Sequence, residues 1–200
     1  LLGTSMVEPR QEPKGTRQKL LIAAVTLMRR TGLTGAGINE IVRESGAPKG
    51  SIYHFFPAGK QQIASEALRD YAGAVADFID ASLRGKRSPA ARVKALFDAF
   101  ADRVEQGNYE SSCAAGTVCL DLGAASEALR EPVAAALDRY VEAIAAHFDC
   151  GDDRKCRSFA GLLLSAIEGA YIRSRAQRSS KPFREAGAWL AALAQREFAE

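Results

Sequence analysis

Two short amphipathic segments separated by Gly46-Ala-Pro48 constrain this chain more than any other feature. Before the break, Ile38, Ile41 and Val42 fall at the i, i+3, i+4 spacing that gathers side chains on one helical face, which predicts a short supporting helix with a narrow buried stripe. Gly46 stands where a helix must stop with a positive φ. Pro48 stands where a helix can begin, since its fixed φ and missing N–H are harmless in a first turn. The second segment, Pro48 to about Phe55, places Ile52 and Phe55 three apart as inward anchors. Lys49, Ser51, Tyr53 and His54 are left as polar or amphipathic groups on the outer face. A helix, a turn of about three residues and a second helix make a helix-turn-helix, and donors near the start of the second helix suit it to the major groove.

The rest of the chain carries the same 3.6-residue period. Thr16 is the expected N-cap of a first helix in which Leu20, Leu21, Ala24, Val25, Leu27 and Met28 form a broad stripe, ended by Gly32. Gly59 and Lys60 open a helix running to about Leu83, with Ile63, Ala67, Tyr71, Ala74, Val75, Phe78 and Ile79 in phase. At about 37 Å it is long enough to bridge the helix-turn-helix and whatever follows. Ser88-Pro89 starts a helix holding Val93, Leu96, Phe97, Phe100 and Val104; a loop follows near 106–112, then a short helix across Cys113 to Leu122. Ser126 is the expected cap of a helix with Leu129, Val133, Leu137, Val141, Ile144 and Phe148, bent or reset by Pro132. Two further helices are expected from Arg154 to about Arg175 and from about Phe183 to Phe198. No period-two alternation appears, so the expected fold is all-α. The expected division is an arm at 1–15, a helix-turn-helix DNA-binding unit at 16–60, and a second helical unit at 61–200. Within the arm, Leu1 to Ser5 read as a remnant ahead of a natural start at Met6.

With 47% hydrophobic and 26% charged residues, the chain has material for a core and is neither disordered nor membranous. No apolar run reaches the roughly 18 residues of a spanning helix, and no charged segment followed by an apolar one opens the chain, so no membrane partner and a cytoplasmic location are expected. Residues 1–70 hold ten Lys and Arg against six Asp and Glu, whereas the remainder holds seventeen against eighteen. The positive end therefore coincides with the helix-turn-helix, as expected of a polyanion binder. Cys113, Cys119, Cys150 and Cys156 form two pairs six apart, a spacing that turns partners to different helix faces; no His-rich cluster accompanies them, so no metal is expected. Buried free thiols are the default for such cysteines, with a redox pair as the alternative. With only His54 and His147, and no strand to carry a Gly-rich phosphate loop, neither an enzyme nor a cofactor is expected.

The run Gly46-Ala-Pro-Lys-Gly-Ser-Ile-Tyr-His-Phe-Phe-Pro-Ala-Gly-Lys60 resembles the DNA-binding signature of the tetracycline-repressor (TetR) family. Its Ala-Pro-Lys-Gly-Ser and Pro-x-Gly-Lys variants are similar to the LmrA/YxaF-like branch. Gly116-Thr-Val-Cys-Leu-Asp121, Ser126-Glu-Ala-Leu-Arg130 and Glu168-Gly-Ala170 resemble that branch's effector domain less specifically. Ala36 and Gly37 depart from the Thr or Ser of many members, leaving the supporting helix with a weaker cap. The resemblance implies a homodimeric, ligand-responsive transcriptional repressor of a double-stranded, pseudo-palindromic operator. DNA contacts are then expected among Thr16, Arg17, Ala47, Lys49, Gly50, Ser51, Tyr53, His54 and Lys60.

A pocket for a small, largely apolar effector would draw on Phe78, Phe97, Phe100, Tyr109, Val118, Leu122, Leu137, Val141 and Phe159. Each of these also serves as plain core in any bundle, so the cavity rests on the resemblance. A two-fold interface would draw on Phe159, Leu162, Leu163, Ser165, Ala166, Glu168, Gly169, Phe183, Trp189, Leu190 and Leu193, because the last two helices carry more apolar face than one chain can bury. Glu168 must find a partner if buried, either across that interface or in a ligand. The alternative function is a DNA-binding dimer with no small-molecule effector, architectural or gated by a protein.

Overall fold

The computed structural model describes residues 15–149 and 151–198; the expected arm at 1–15 lies outside them except for Gly15. The described residues form helices and no strand. In chain order these are α1 (Thr16–Gly35), α2 (Ile38–Ser45), α3 (Ser51–Phe55), α4 (Lys60–Leu83), α5 (Pro89–Gln106), α6 (Ala114–Leu120), a 3₁₀ turn (Ala124–Leu129), α7 (Arg130–Ala145), α8 (Asp153–Gln177) and α9 (Lys181–Phe198). α1 packs on α2, α3, α4 and α6. α4 runs on from that cluster to pack along α7 and α5, while α9 lies against α5 and α8.

Local chemistry explains most boundaries. Gly46 ends α2 at φ 64, a left-handed conformation that glycine adopts without steric cost. Ser88 caps α5 by accepting from the Ala91 N–H at 3.1 Å, with Pro89 in the first helical position. Asp152 caps α8 through the Arg154 N–H at 2.9 Å.

Four local expectations are corrected. Thr16 is not the N-cap of α1: the Lys19 N–H bonds the Gly15 carbonyl at 3.1 Å, which closes the first turn one residue earlier. Ser126 does not cap α7; it lies inside the 3₁₀ turn, its hydroxyl accepting from the Gly123 N–H at 2.9 Å. Pro132 consequently falls in the first turn of α7, where its missing N–H has no helical partner to lose. α3 begins at Ser51, because Pro48 belongs to the preceding turn, closed by Ser51 N–H to Pro48 O at 2.9 Å. The inward anchors of α3 are Ile52 and Phe56, both fully buried, while Phe55 is only half-buried. The Phe56 N–H bonds the Ile52 carbonyl at 2.8 Å, and this i+4 relation puts the two side chains on one side.

Cys113 and Cys119 are free thiols. Cys156 is disulfide-bonded, which departs from the free-thiol default and agrees with the alternative for that residue. No helix among the described residues is long and apolar enough to cross a membrane.

Candidate nucleic-acid interface and interior cavity

The outer face of the helix-turn-helix is open. Lys49, Gly50, Tyr53 and His54 are exposed, Tyr53 by 59%, while Ser51 is half-buried at the start of α3. Ala47 is buried, so only its backbone lies near that face. Arg17 is tied down: its guanidinium pairs with Glu66 of α4 and sits 5.4 Å from the centroid of the Phe56 ring. Thr16 is half-buried in the first turn of α1, beside Arg17. Lys60 opens α4 and reaches back to donate to the Thr34 carbonyl at 3.4 Å. Burial holds its ammonium below the usual lysine range, opposed by Asp121 and Glu40.

Behind this unit lies a seam absent from the sequence reading. Gly32 breaks α1 with φ 71, and the last carbonyls before a helix break lack in-helix partners. Residues from the far end of the molecule meet them. The Thr117 hydroxyl of α6 lies 2.8 Å from the Met28 carbonyl, the Ser112 N–H donates to Arg29 at 2.9 Å, and Arg175 of α8 donates to Arg30 at 2.8 Å. Asp121, just past α6, accepts from the Thr34 N–H at 2.9 Å. Its carboxylate fills the space a side chain at residue 32 would need. α6 is therefore bonded at both ends to the C-terminal end of α1.

The other side of α6 faces a polar group. The Glu168 carboxylate lies where a Cβ on Gly116 would be, so only glycine lets α6 and α8 approach with the carboxylate in place. Burial pushes the Glu168 carboxyl above its ordinary range, partly offset by a hydrogen bond from the Cys113 thiol. Burial also raises the Cys113 thiol and the Tyr140 and Tyr171 hydroxyls, so all three stay protonated. Glu168 and Tyr171 stand between two spaces: a narrow void of about 20 Å³, also lined by Tyr71, Phe100, Arg103 and Tyr140, and a wider groove of about 560 Å³ against α6.

Residues 20–67 match the family of bacterial regulatory proteins, tetR family, and residues 89–189 match the transcriptional regulator LmrA/YxaF-like C-terminal domain. The chain belongs to the TetR family. As a TetR-family transcriptional regulator it is a DNA-binding protein and not an enzyme. It is similar to the transcriptional regulator LmrA of Bacillus subtilis, 28% identical over 170 residues covering 84% of this chain and 90% of that one. It is also similar to the uncharacterized regulator YxaF of the same organism, 29% identical over 170 residues, with coverage of 84% and 88%. In fold it resembles the regulatory protein TetR from Rhodobacter sphaeroides, with a TM-score of 0.78 at 20% identity over 92% of this chain and 99% of that one.

Within this TetR-family chain the expected pocket set scatters. Phe100 lines the void and Leu137 the groove. Phe97, Val118 and Phe159 are buried core, Phe159 meeting Phe148 edge-on and Phe198 at a tilt. Phe78, Leu122 and Val141 are half-buried against the core, and Tyr109 lies in a surface hollow beside Arg30 and Arg178. The expected interface set divides likewise. Phe159, Leu163 and Phe183 are buried within the chain and present nothing to a partner. Leu162, Ser165, Gly169 and Trp189 are exposed, and Ala166, Leu190 and Leu193 half-exposed. Glu168 points at α6, away from this outer stripe. The residues missed, Tyr71, Arg103, Cys113, Tyr140 and Tyr171, come from five segments far apart in sequence, each inward-facing on its own period. Periodicity shows that a side chain faces in, not that the facing side chains leave a hole.

Proposed function

We propose that the chain is a dimeric, ligand-responsive repressor in which α6 connects an effector site at Glu168 to the DNA-reading unit. The observation that carries this reading is the two-sided position of α6, with Gly116 against Glu168 on one side and Thr117 and Asp121 holding the end of α1 on the other. The unit 16–60 reads the operator and 61–200 holds the effector and the partner. Two α3 helices of a dimer would enter successive major grooves about 34 to 36 Å apart. Lys49 and Ser51 reach base edges, Tyr53 and Lys60 phosphates. A ligand that moves α6 shifts the end of α1 and the Lys60 end of α4 together, because Lys60 and Asp121 both bond Thr34. α4, the helix expected to bridge the two units, thus acts with α6 and not by itself.

The direct test is selection of genomic fragments by the purified chain, followed by a ligand screen read as melting temperature and as release of the selected fragment. A specific ligand raises stability by mass action. A selected operator with no ligand from a broad screen would favour the effector-free DNA-binding dimer instead.

Two sets of variants probe the parts. Lys49→Ala should cost about 1 to 3 kcal/mol on the operator and much less on random DNA, whereas Tyr53→Phe should weaken both alike. Competitive titration against random duplex separates them, and equal losses for Lys49→Ala would move that residue to a phosphate. Asp121→Ala combined with Thr117→Val should keep operator binding but shrink the ligand's effect on it from the roughly 5- to 150-fold of ordinary coupling towards none. Full ligand response in that double variant would rule out the α6 route.

A further inference from the structure

We propose that Glu168 is the polar anchor of the effector site and that the effector is an amphipathic amine, its ammonium on the Glu168 carboxylate and its apolar body in the groove between α6 and α8. This names the ligand class within the ligand-responsive reading and rests on it.

The unmet polar groups point to the ligand. Oε1 of Glu168 is buried with no hydrogen-bond partner, and so is the hydroxyl of Tyr140, whose side chain is 2% exposed. Buried polar atoms are nearly always bonded, so two unpartnered ones lining the same void mark a place where a ligand supplies the bonds. An ammonium donates to both. The walls agree in sign: Tyr71, Phe100, Tyr140 and Tyr171 line the void, and aromatic faces attract a cation and repel an anion. The other charged residue there, Arg103, is already engaged by the wall and the helix behind it. It donates to the Tyr71 hydroxyl at 2.9 Å and lies 4.8 Å from the centre of the Phe78 ring. A carboxylate ligand would bring its charge against Glu168, while the cations of the two linings, Arg103 in the void and Arg175 in the groove, are already bonded to the Tyr71 hydroxyl and the Arg30 carbonyl.

Size places the body. The void holds about one water, so an effector enters it only by its head group. The groove is of ordinary ligand size, and Leu120 and Ile172 stand in its wall, 81% and 64% exposed. Glu168 lines both spaces, so an amine reaching its carboxylate from the groove leaves an alkyl or aryl body against those two side chains.

The test uses matched triplets of aryl-alkyl probes that differ only in the end group, such as phenylbutylamine, phenylbutanol and phenylbutyrate with their naphthyl counterparts. Each is titrated calorimetrically into the full chain. The amines should bind best. Glu168→Gln should weaken them roughly tenfold or more while leaving the alcohols unchanged. Because it removes a buried carboxylate with one unpartnered oxygen, this variant should melt no lower than the wild type. As a second variant, Gly116→Ala displaces the carboxylate and should weaken the amines selectively as well. Binding led by alcohols or carboxylates, or amine affinity intact in both variants, overturns the amine assignment and leaves ligand response standing. Absence of binding by every probe also overturns it, and ligand response itself then stands or falls on the broader screen.

Discussion

Phe56→Ala is expected to melt the DNA-reading unit and abolish operator binding. Phe56 is completely buried beside Ile52, with the Arg17 guanidinium over its ring and the Phe55 ring 6.5 Å away. Truncating a buried phenylalanine costs about 3 to 5 kcal/mol, and the loss falls on a unit whose helices α2 and α3 have eight and five residues and cannot stand without tertiary packing. A domain held by about 5 to 15 kcal/mol in all keeps little in reserve after such a change. Opening should be local, with amides of α2 and α3 losing hydrogen-exchange protection while α5, α8 and α9 keep theirs. Phe55→Ala should cost much less, since that ring is half-buried. A larger destabilisation from Phe55→Ala than from Phe56→Ala would reverse the assignment of the anchor.

That reversal of neighbours shows what the sequence could and could not carry. Ile52 and Phe55 three apart satisfy a helical period as well as Ile52 and Phe56 four apart do, and only the place where α3 ends selects between them. The helices themselves were legible because their punctuation is chemical: Gly46, Ser88-Pro89 and Asp152 each stop or start a helix by a backbone or side-chain bond found in the structure. Helices that start without a side-chain cap were not, as Thr16 and Ser126 show: α1 opens from Gly15 and α7 from Leu129. The exposed outer face of the helix-turn-helix, Lys49, Gly50, Tyr53 and His54, was legible because it is one contiguous stretch. The cavity was not, since Tyr71, Cys113, Tyr140 and Glu168 meet only after α4, α6, α7 and α8 have packed. Glu168 alone gave a signal, as a carboxylate in an otherwise apolar stripe; the sequence left its partner open and the structure turns it towards Gly116.

The same offset governs the outer surface, where Leu162→Glu with Trp189→Glu is expected to yield folded monomers. TetR-family regulators bind DNA as dimers. Along α8 the inward stripe takes Phe159, Leu163 and Ile167, which leaves Leu162, Ser165 and Gly169 outside. Trp189 of α9 is 81% exposed and Leu162 46% exposed, so two glutamates there keep their charges in water and leave the buried core of the chain in place. Across an interface they would be unpaired charges removed from water, a penalty of several kcal/mol per ion. A monomer engages one half-site, and operator affinity should fall by about a thousandfold or more, towards that of non-specific DNA. Sedimentation and helical circular dichroism distinguish a folded monomer from an unfolded chain. Trp189 is the sole tryptophan, so its fluorescence in the wild type should shift to the red on dilution as its ring returns to water. Leu163→Glu is the contrasting control: with Leu163 fully buried, it should unfold the bundle instead of dividing a dimer. A double variant that sediments as a dimer with full operator affinity would remove the outer stripe of α8 and α9 from the interface and leave the exposed apolar pair Leu120 and Ile172 as the next surface to charge.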